Sequence, residues 1–238
     1  MQIPLRIALP VEKQFDTFIP GDNAELVFHS MEAIKSIDGA SSYGQCFIHG
    51  IAGTGKSHFL YACCHLANQS SVDNFYLDLE SIDAYSPEIL DGFRDVQLLC
   101  IDGIDNIVGR PDWQLAIFDL INQRREKNHG QLFMSAATNL AVPAHISHTL
   151  SLADLQSRLQ WGMVFQMKSL SDDDRRLLLH KLSEAKGIKL SETSIQYLLS
   201  HCERSTDVLV DTFERLDIRS LTEKKALSVE LIKRELSI

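Results

Sequence analysis

One glycine-rich stretch near residue 50 constrains this chain more than any other feature. A short apolar run, Cys46–Ile48, precedes it, and an apolar-periodic segment, His58–Leu66, follows it. The stretch fits the pattern G-x-x-x-x-G-K-S of a phosphate-binding loop and consists of Gly50, Ile51, Ala52, Gly53, Thr54, Gly55, Lys56 and Ser57. Because strand, loop and helix follow one another in the order that this motif requires, we predict a nucleotide-binding α/β domain around it.

The residue types in this loop suit a nucleoside phosphate. Glycines let the backbone turn its N–H groups towards an anion, and the helix that follows adds the positive end of its dipole. Lys56 supplies a charge for the outer phosphates, and the Ser57 hydroxyl is a ligand for Mg²⁺. The alternative is a glycine-rich turn that binds nothing, and the flanking strand and helix argue against it.

Composition and charge disfavour several other classes of protein. The chain has 238 residues, 45% of them hydrophobic, which is enough for a sizeable core. Lys and Arg number 23 against 32 Asp and Glu, and the net charge of −9 disfavours a non-specific nucleic-acid binder. No apolar run approaches the ~20 residues of a membrane span, and the N-terminus does not resemble a secretory signal, so we expect a cytoplasmic protein without membrane contact.

The cysteines and histidines do not indicate a metal site. None of the five cysteines forms a C-x-x-C pair, and three stand in or beside apolar runs, so we expect reduced core thiols. His145 and His148 resemble a ligand pair, but no further ligand stands near them in the sequence. This spacing favours a solvated loop.

Apolar periodicity predicts five strands that alternate with helices, followed by helices alone. We expect the strands at 46–48, 74–78, 96–102, 131–136 and 163–167. We expect helices at 24–37, 58–66, 88–91 and 113–127, and then further helices that begin near residues 171, 191, 206 and 228. Ser171 with the three following aspartates is typical of a helix cap and an acidic first turn.

Two strand ends carry polar side chains. Asp102 follows a run of apolar residues, and in a parallel sheet this carboxyl edge also holds the phosphate-binding loop. Asp102 is therefore the candidate partner of Mg²⁺ through water, or else an Asp that caps the next turn. The fourth strand ends at Thr138 and Asn139, which either contact a γ-phosphate or its water or form an ordinary turn.

The first ten residues alternate apolar groups with others and contain two prolines, which favours an extended segment. Such a segment cannot bury itself alone. It either packs back on the domain or adds to the groove of a partner.

Several motifs resemble a known family. Strands that alternate with helices, followed by a small helical module, resemble the AAA+ ATPases. The segment Phe15–Leu26 is similar to the entry segment of DnaA-type initiators, and Leu155–Gly162 is similar to their arginine-finger box. The match is closest to the Hda family of DnaA-related regulatory inactivators, covers the chain from Gln2 to Ile238, and also includes Pro87–Gly92, Ala116–Leu120 and Leu170–Asp172.

The resemblance implies an α/β fold with a parallel five-stranded AAA+ P-loop sheet and a small C-terminal all-helical lid. We expect an extended arm over 1–14, the nucleotide-binding domain over 15–168 and the lid over 169–238. The resemblance further implies that Phe18, Ile19, His58 and Asn139 join the loop around a bound nucleotide. That nucleotide would be ADP, another nucleoside diphosphate or ATP, with Mg²⁺ held by Ser57 and Asp102.

The resemblance also implies partners. Arg158 resembles the arginine finger, which in this family reaches the γ-phosphate of ATP bound to DnaA, so we expect a negative regulator of replication initiation. Gln2, Ile3, Leu5 and Ile7 resemble the motif that binds the β sliding clamp, although Arg6 departs from it. We expect DNA contact only through the clamp, since no helix-turn-helix domain follows the lid, and self-association stays open.

Two positions depart from an active ATPase of this kind. Gly103 stands where a second acid would position the attacking water, and Asp105 can replace that acid only in part. Asp207 stands where DnaA-type proteins carry the sensor-2 arginine, with Arg204 three residues earlier. Both departures favour slow intrinsic hydrolysis and a diphosphate-bound resting state. A stand-alone ATPase similar to the helicase loaders and a non-catalytic adaptor are the alternative functions.

Overall fold

The structure is a computed structural model that describes residues 9–10, 12–37, 43–140, 153–223 and 226–236. The predicted clamp-binding residues Gln2, Ile3, Leu5 and Ile7 lie outside the described residues, as does the pair His145 and His148. The chain divides into two compact units. The first takes in residues up to 18, 23–51 and 56–167, and the second takes in 19–22, 52–55 and residues from 168 onwards.

The first unit contains a five-stranded sheet in which every pair of neighbouring strands is parallel. The strands are β1 (Gly44–His49), β2 (Asn74–Asp78), β3 (Leu98–Asp102), β4 (Gln131–Ala136) and β5 (Met163–Gln166). Their order across the sheet is β2-β3-β4-β1-β5. The helices of this unit are α1 (Ala24–Lys35), α2 (Lys56–Gln69), α3 (Pro111–Glu126) and α4 (Ala153–Leu159).

The chain also contains four short 3-10 helices among its described residues. Gly21–Asn23 precedes α1, and Ile82–Ala84, Pro87–Phe93 and Ile104–Ile107 lie in the connections between strands. The segment predicted as a short α-helix over 88–91 is one of them, and Gly92 near its end has a low propensity for a longer α-helix.

The central strands are buried on both faces, as their continuous apolar runs predict. Every residue of β3 and β4 is buried. Alternate residues enter opposite layers: Phe47 packs in the core beneath α3, whereas Cys46 and Ile48 pack in the core beneath α2. Of the five cysteines, all of which are free, Cys46, Cys63, Cys64 and Cys100 are buried.

Helix α3 is anchored by a buried arginine. The Arg124 guanidinium donates to the carbonyl oxygens of Phe93 at 2.9 Å and Val96 at 2.8 Å, and to that of Gln131 at 3.1 Å. Burial lowers the pKa of Arg124 to about 10. These bonds connect the end of α3 to the segment before β3 and to the start of β4. They therefore fix the position of α3 and of its side chains relative to the sheet.

The second unit is helical, as predicted. Its helices are α5 (Asp172–Ala185), α6 (Glu192–His201), α7 (Thr206–Glu223) and α8 (Val229–Leu236). Ser171 caps α5 and forms a capping box with Asp174. The core of the unit contains Leu179, Ile195 and Phe213. No helix in the described part of either unit is long and apolar enough to cross a membrane.

Candidate functional site

The phosphate-binding loop joins β1 to α2. Gly50 follows β1 directly, and α2 begins at Lys56, so Ser57 lies in its first turn. Lys56 Nζ donates to the carbonyl oxygens of Gly50 at 2.6 Å and Ile51 at 3.0 Å. An anionic phosphate oxygen is a stronger acceptor for an ammonium group than a neutral carbonyl is. The loop lysine is therefore in place for a phosphate that would replace these carbonyls.

The middle of the loop, Ala52–Gly55, belongs to the second unit. Within that unit the backbone N–H of Thr206 donates to the carbonyl oxygen of Gly53 at 3.3 Å. Asp207, the residue at the sensor-2 position, lies in the first turn of α7 and is exposed. Arg204, whose side chain is 86% exposed, pairs with Asp172 at 3.6 Å.

The entry segment packs on the start of α2. The rings of Phe18 and His58 meet edge to face with their centres 5.3 Å apart, and Phe18 is buried. The carbonyl oxygen of Gln14 lies 3.2 Å from His58 Nε2. The first unit therefore brings together two of the predicted nucleotide-binding residues. Ile19 is buried, and Asn139 is half-buried in the turn after β4.

Asp102 is buried at the carboxyl end of β3, and both of its oxygens accept hydrogen bonds. The Tyr76 hydroxyl donates to Oδ2 at 2.6 Å, and the Ser135 hydroxyl donates to Oδ1. Burial, followed by the neighbouring Asp102, raises the pKa of Tyr76 far above its ordinary value, so its hydroxyl remains a donor. A carboxylate oxygen has about two lone-pair sites, so each oxygen can still accept a bond from a water.

The residue after Asp102 is not an acid, and the next acid, Asp105, is engaged by the backbone. Gly103 has φ 73°, in the left-handed region, and starts the 3-10 helix Ile104–Ile107. Asp105 lies inside that helix, where its Oδ1 accepts a hydrogen bond from the backbone N–H of Ala137 at 2.9 Å. The Asp105 carboxylate thus stabilises the turn after β4. The sequence predicts that the same carboxylate replaces the missing acid only in part.

These groups fit a magnesium nucleotide. Lys56 and the N-terminal N–H groups of α2 suit the phosphates, and the Ser57 hydroxyl and Asp102 carboxylate are oxygen donors of the kind that Mg²⁺ prefers. The bound metal would neutralise charge on the phosphates. In the described part of the chain no cluster of three or more His, Cys, Asp and Glu side chains forms a separate metal site.

A second cluster of functional side chains surrounds Arg158 at the end of α4. Arg158 Nε donates to Asn122 Oδ1 at 2.9 Å, and the guanidinium carbon lies 3.9 Å from the centre of the Trp161 ring and 5.0 Å from that of Phe118. The guanidinium carbon of Arg125 lies 3.8 Å from the centre of the same indole ring. We call these five residues the arginine cluster.

The arginine cluster faces solvent. Arg125 is exposed, Arg158 is half-buried and Trp161 is 40% exposed. Among the described residues, no carboxylate lies within 4 Å of either guanidinium; the ion pairs of this unit involve other arginines and lysines. The cluster therefore presents positive charge that is stacked and hydrogen-bonded but not neutralised.

Strand β1 fixes the backbone that carries Arg158. Gln45 Nε2 donates to the carbonyl oxygen of Arg158 at 2.8 Å, and its Oε1 accepts from the Tyr43 hydroxyl at 2.6 Å. A Cβ on Gly162 would lie 2.0 Å from the carbonyl oxygen of Gln45. Only glycine allows this close approach of the two backbones, which explains why a glycine, Gly162, follows Trp161 in the motif.

Two family models match the chain. The model of the bacterial DnaA ATPase domain matches residues 9–166, more than half of the chain. The chain belongs to the bacterial DnaA ATPase-domain family. A second model, that of the Hda lid domain, matches residues 172–236. The predicted relationship to Hda and DnaA is therefore confirmed, together with the AAA+ fold and its helical lid.

Solved structures show the same fold. Domain III of the replication initiation protein DnaA from Thermotoga maritima has a TM-score of 0.83 at 19% identity and covers 97% of this chain and 98% of its own. AMPPCP-bound DnaA from Aquifex aeolicus has a TM-score of 0.72 at 18% identity, covering 91% of this chain and 68% of its own. The Thermotoga maritima RuvB Holliday junction branch migration motor has a TM-score of 0.72 at 12% identity, with coverages of 96% and 72%.

The structure of this DnaA-family protein adds residues that sequence reasoning missed. Tyr76 and Ser135 hold Asp102, and Asn122, Phe118 and Arg125 surround the predicted finger. Residues 118, 122 and 125 are spaced so that they lie along one face of α3, and this local pattern can be read from the sequence. That this stripe meets α4 follows only from the tertiary fold.

Proposed function

We propose that this DnaA-family protein regulates DnaA negatively by stimulating hydrolysis of the ATP that DnaA carries, with Arg158 as an arginine finger supplied in trans. The observation that carries the proposal is the presentation of Arg158: it is half-buried, has no carboxylate within salt-bridge distance among the described residues, and is held by an amide and an indole. The matches to the DnaA ATPase-domain and Hda lid models support a regulator of DnaA.

The chemistry of the finger follows from how it is held. Asn122 engages Nε, Nη1 donates to Ser157 Oγ at 3.2 Å and Trp161 lies against the guanidinium, so Nη2 remains to donate to the γ-phosphate of the neighbouring ATP. Charge spreads over the phosphoryl oxygens in the transition state, and a guanidinium delivered there is worth ~10³–10⁵ in rate in related systems. A side chain that is fixed in advance loses less entropy when it docks.

The protein's own nucleotide acts in this proposal as a structural ligand. Lys56, Ser57 and Asp102 would hold a nucleoside diphosphate or ATP with Mg²⁺, in a loop whose remaining members run from Gly50 to Gly55. Gly103 and the exposed Asp207 favour the diphosphate, ADP in the first instance, as the resting ligand. ADP should therefore bind more tightly than ATP in calorimetry, and clearly tighter ATP would oppose this part of the proposal.

The proposal includes a tether. Residues Gln2, Ile3, Leu5 and Ile7 would dock in an apolar groove of the β sliding clamp, which would hold the protein near DNA without a DNA-binding surface of its own. The net charge of −9 agrees with indirect contact to DNA. Self-association of the protein on the clamp would be measured separately, by light scattering.

The deciding experiment measures single-turnover hydrolysis of ATP on DnaA, in the presence of clamp loaded on DNA and of the ADP-bound protein. Arg158→Ala should reduce the stimulated rate by ~10³-fold or more. Arg125→Ala is the matched control, because it removes the other guanidinium on Trp161 and should keep most of the stimulation.

Binding of the variants to DnaA and to the clamp is measured in parallel. If stimulation survives in Arg158→Ala with binding intact, the protein is an adaptor that tethers DnaA. If the purified chain alone turns over ATP rapidly without DnaA, it is a stand-alone ATPase similar to the helicase loaders. Either result would replace the proposed mechanism.

A further inference from the structure

The first unit has a groove whose lining includes neither the phosphate-binding loop nor any residue of the arginine cluster. It runs between the 3-10 helix Pro87–Phe93 and helix α3 and has a volume of about 310 Å³. Leu90 and Leu120 are buried in its lining, and Leu115 contributes a side chain that is 53% exposed. Leu115, with the half-buried Ala116 beside it, is therefore the apolar surface that a side chain from outside can reach, and Leu90 and Leu120 form the closed floor beneath it.

Acidic residues surround this apolar surface. The lining includes Glu88, Asp91, Asp112 and Asp119 against a single cation, Arg94. Arg94 is paired with Asp91. Among the residues that the structure describes, no ion pair within 4 Å includes any of the other three carboxylates, and a hydrogen bond from Ser86 lowers the pKa of Glu88 and keeps it charged. Asp112 interacts electrostatically with Arg110, the partner of Asp83, so the groove keeps a net negative charge around its apolar centre, carried mainly by Glu88 and Asp119.

The charge pattern selects the class of ligand. Carboxylates repel phosphate, which excludes nucleotides, nucleic acid and anionic lipid surfaces as occupants. The volume is at the lower limit of the ~300–1,000 Å³ that ligand pockets occupy, which suits a few side chains better than a cofactor. An amphipathic helix binds such grooves with apolar anchors spaced three and four residues apart, and lysine or arginine beside those anchors would face the acidic residues.

We propose that this groove binds a basic amphipathic segment of a partner protein, whose apolar side chain packs against the exposed Leu115 above the buried Leu90 and Leu120 while its cations face Glu88, Asp112 and Asp119. The groove shares α3 with the arginine cluster but uses different residues of that helix. The proposal is thus independent of the proposed function, because its test reads peptide binding rather than ATP hydrolysis.

The probe is a fluorescein-labelled helical peptide with leucines at positions i, i+3, i+4 and i+7 and lysines elsewhere. Its binding to the full chain is measured by fluorescence anisotropy, beside a peptide of the same leucine pattern with glutamates in place of the lysines. We expect the lysine peptide to bind and the glutamate peptide not to bind. Leu115→Asp, and separately Asp112→Lys with Asp119→Lys, should each weaken binding at least about tenfold.

Matched controls lie in the second unit. Leu177→Asp changes another exposed leucine, 48% exposed on α5, and Asp173→Lys changes an exposed aspartate of the same helix. Both should leave affinity within about twofold of that of the unchanged protein. Equal losses in these controls, or equal binding of the glutamate peptide, would show general charge attraction or non-specific adhesion and would overturn the proposal.

A measurement on the unchanged protein guards against variants that fail to fold. Amide chemical shifts in the NMR spectrum are followed as the lysine peptide is added. Shifts concentrated at residues 87–94 and 112–120 support the groove. Shifts centred on any other surface, or no shifts at concentrations at which anisotropy reports binding, overturn it.

Discussion

The two charged groups on which the proposed function depends are held in opposite ways. Asp102 is buried, and hydroxyl groups from Tyr76 and Ser135 engage both of its oxygens. Arg158 lies on the same unit but reaches solvent, with its guanidinium stacked on an indole that is itself 40% exposed. The Asp102 carboxylate is buried within its own domain, whereas the Arg158 guanidinium is held on one side by Asn122 and Trp161 and is accessible to solvent on the other.

The contrast indicates which group serves the chain itself and which can serve a neighbour. A buried carboxylate with two hydroxyl donors stabilises one arrangement of strand ends, and its removal leaves donors without partners. A supported but unneutralised guanidinium adds little to folding, because cation–π contacts at exposed sites are worth only ~0.5–1 kcal/mol. We therefore expect changes around Asp102 to affect stability and changes around Arg158 to affect stimulated hydrolysis.

Among the changes that test this contrast, the largest effect is expected for Arg158→Lys, a milder change than the Arg158→Ala of the deciding experiment. Lysine keeps the charge but lacks the planar guanidinium that Asn122 and Trp161 hold, so stimulated hydrolysis on DnaA should fall by ~10²-fold. The rate is measured under single-turnover conditions with ADP affinity as an internal check. Arg125→Lys is the control and should stay within about threefold of the unchanged protein. A fully active Arg158→Lys would mean that charge alone suffices and that the stacking has no role.

The next effect concerns the enclosed group. Ser135→Ala removes the donor to Asp102 and the acceptor of the Gly103 N–H, which lies 3.2 Å from the serine hydroxyl. The free energy of unfolding should fall by ~1–3 kcal/mol, as measured by urea denaturation. Ser157→Ala removes a hydroxyl that bonds the Asp154 carbonyl and Arg158 Nη1 at an exposed position, where water can replace both bonds, so it should change the free energy of unfolding by less than ~0.5 kcal/mol. Similar losses at both serines would remove the distinction between the two sites.

A smaller effect is expected from the indole. Trp161→Leu removes the stacking surface of Arg158 and should reduce stimulated hydrolysis by about 2- to 30-fold, which corresponds to ~0.5–2 kcal/mol. Trp161→Phe keeps an aromatic face and should recover most of the rate. The finding against this role would be a Trp161→Leu variant with an unchanged rate and a Trp161→Phe variant no better than it.

Sequence reasoning reached the elements of this fold because their signals are local. The loop from Gly50 to Ser57, the buried run before Asp102 and the cap at Ser171 each depend on neighbours in the chain, and the structure has strand, loop and helix where these predict them. The family resemblance identified Arg158 as the candidate finger, a role that stays a prediction until hydrolysis is measured.

The supports of the two sites depend on tertiary arrangement. Tyr76 and Ser135 reach Asp102 because β2 and β4 flank β3, and this strand order is not written in the periodicity of any one strand. Asn122 reaches Arg158 only once α3 packs beside α4. Gly103 is a predicted departure from the family pattern, and its left-handed backbone, which explains what a side chain would cost there, could be seen only in the structure.

The smallest expected effect on ATP hydrolysis, no increase at all, is that of Gly103→Glu, which tests whether the Asp102 site lacks only an acid. Gly103→Glu restores the acid in sequence, yet φ 73° strains any residue with a Cβ, and that Cβ would lie 2.9 Å from Asn106 Nδ2. We expect a loss of ~1–2 kcal/mol in unfolding free energy and no rise in intrinsic ATP hydrolysis, since the side chain would start towards Asn106. Gly103→Asn is the control for strain, because asparagine tolerates this conformation better and should lose less stability. A tenfold or greater rise in hydrolysis by Gly103→Glu alone would show that the backbone can realign, and that the protein's own centre differs from an active one by a single carboxylate rather than by its geometry.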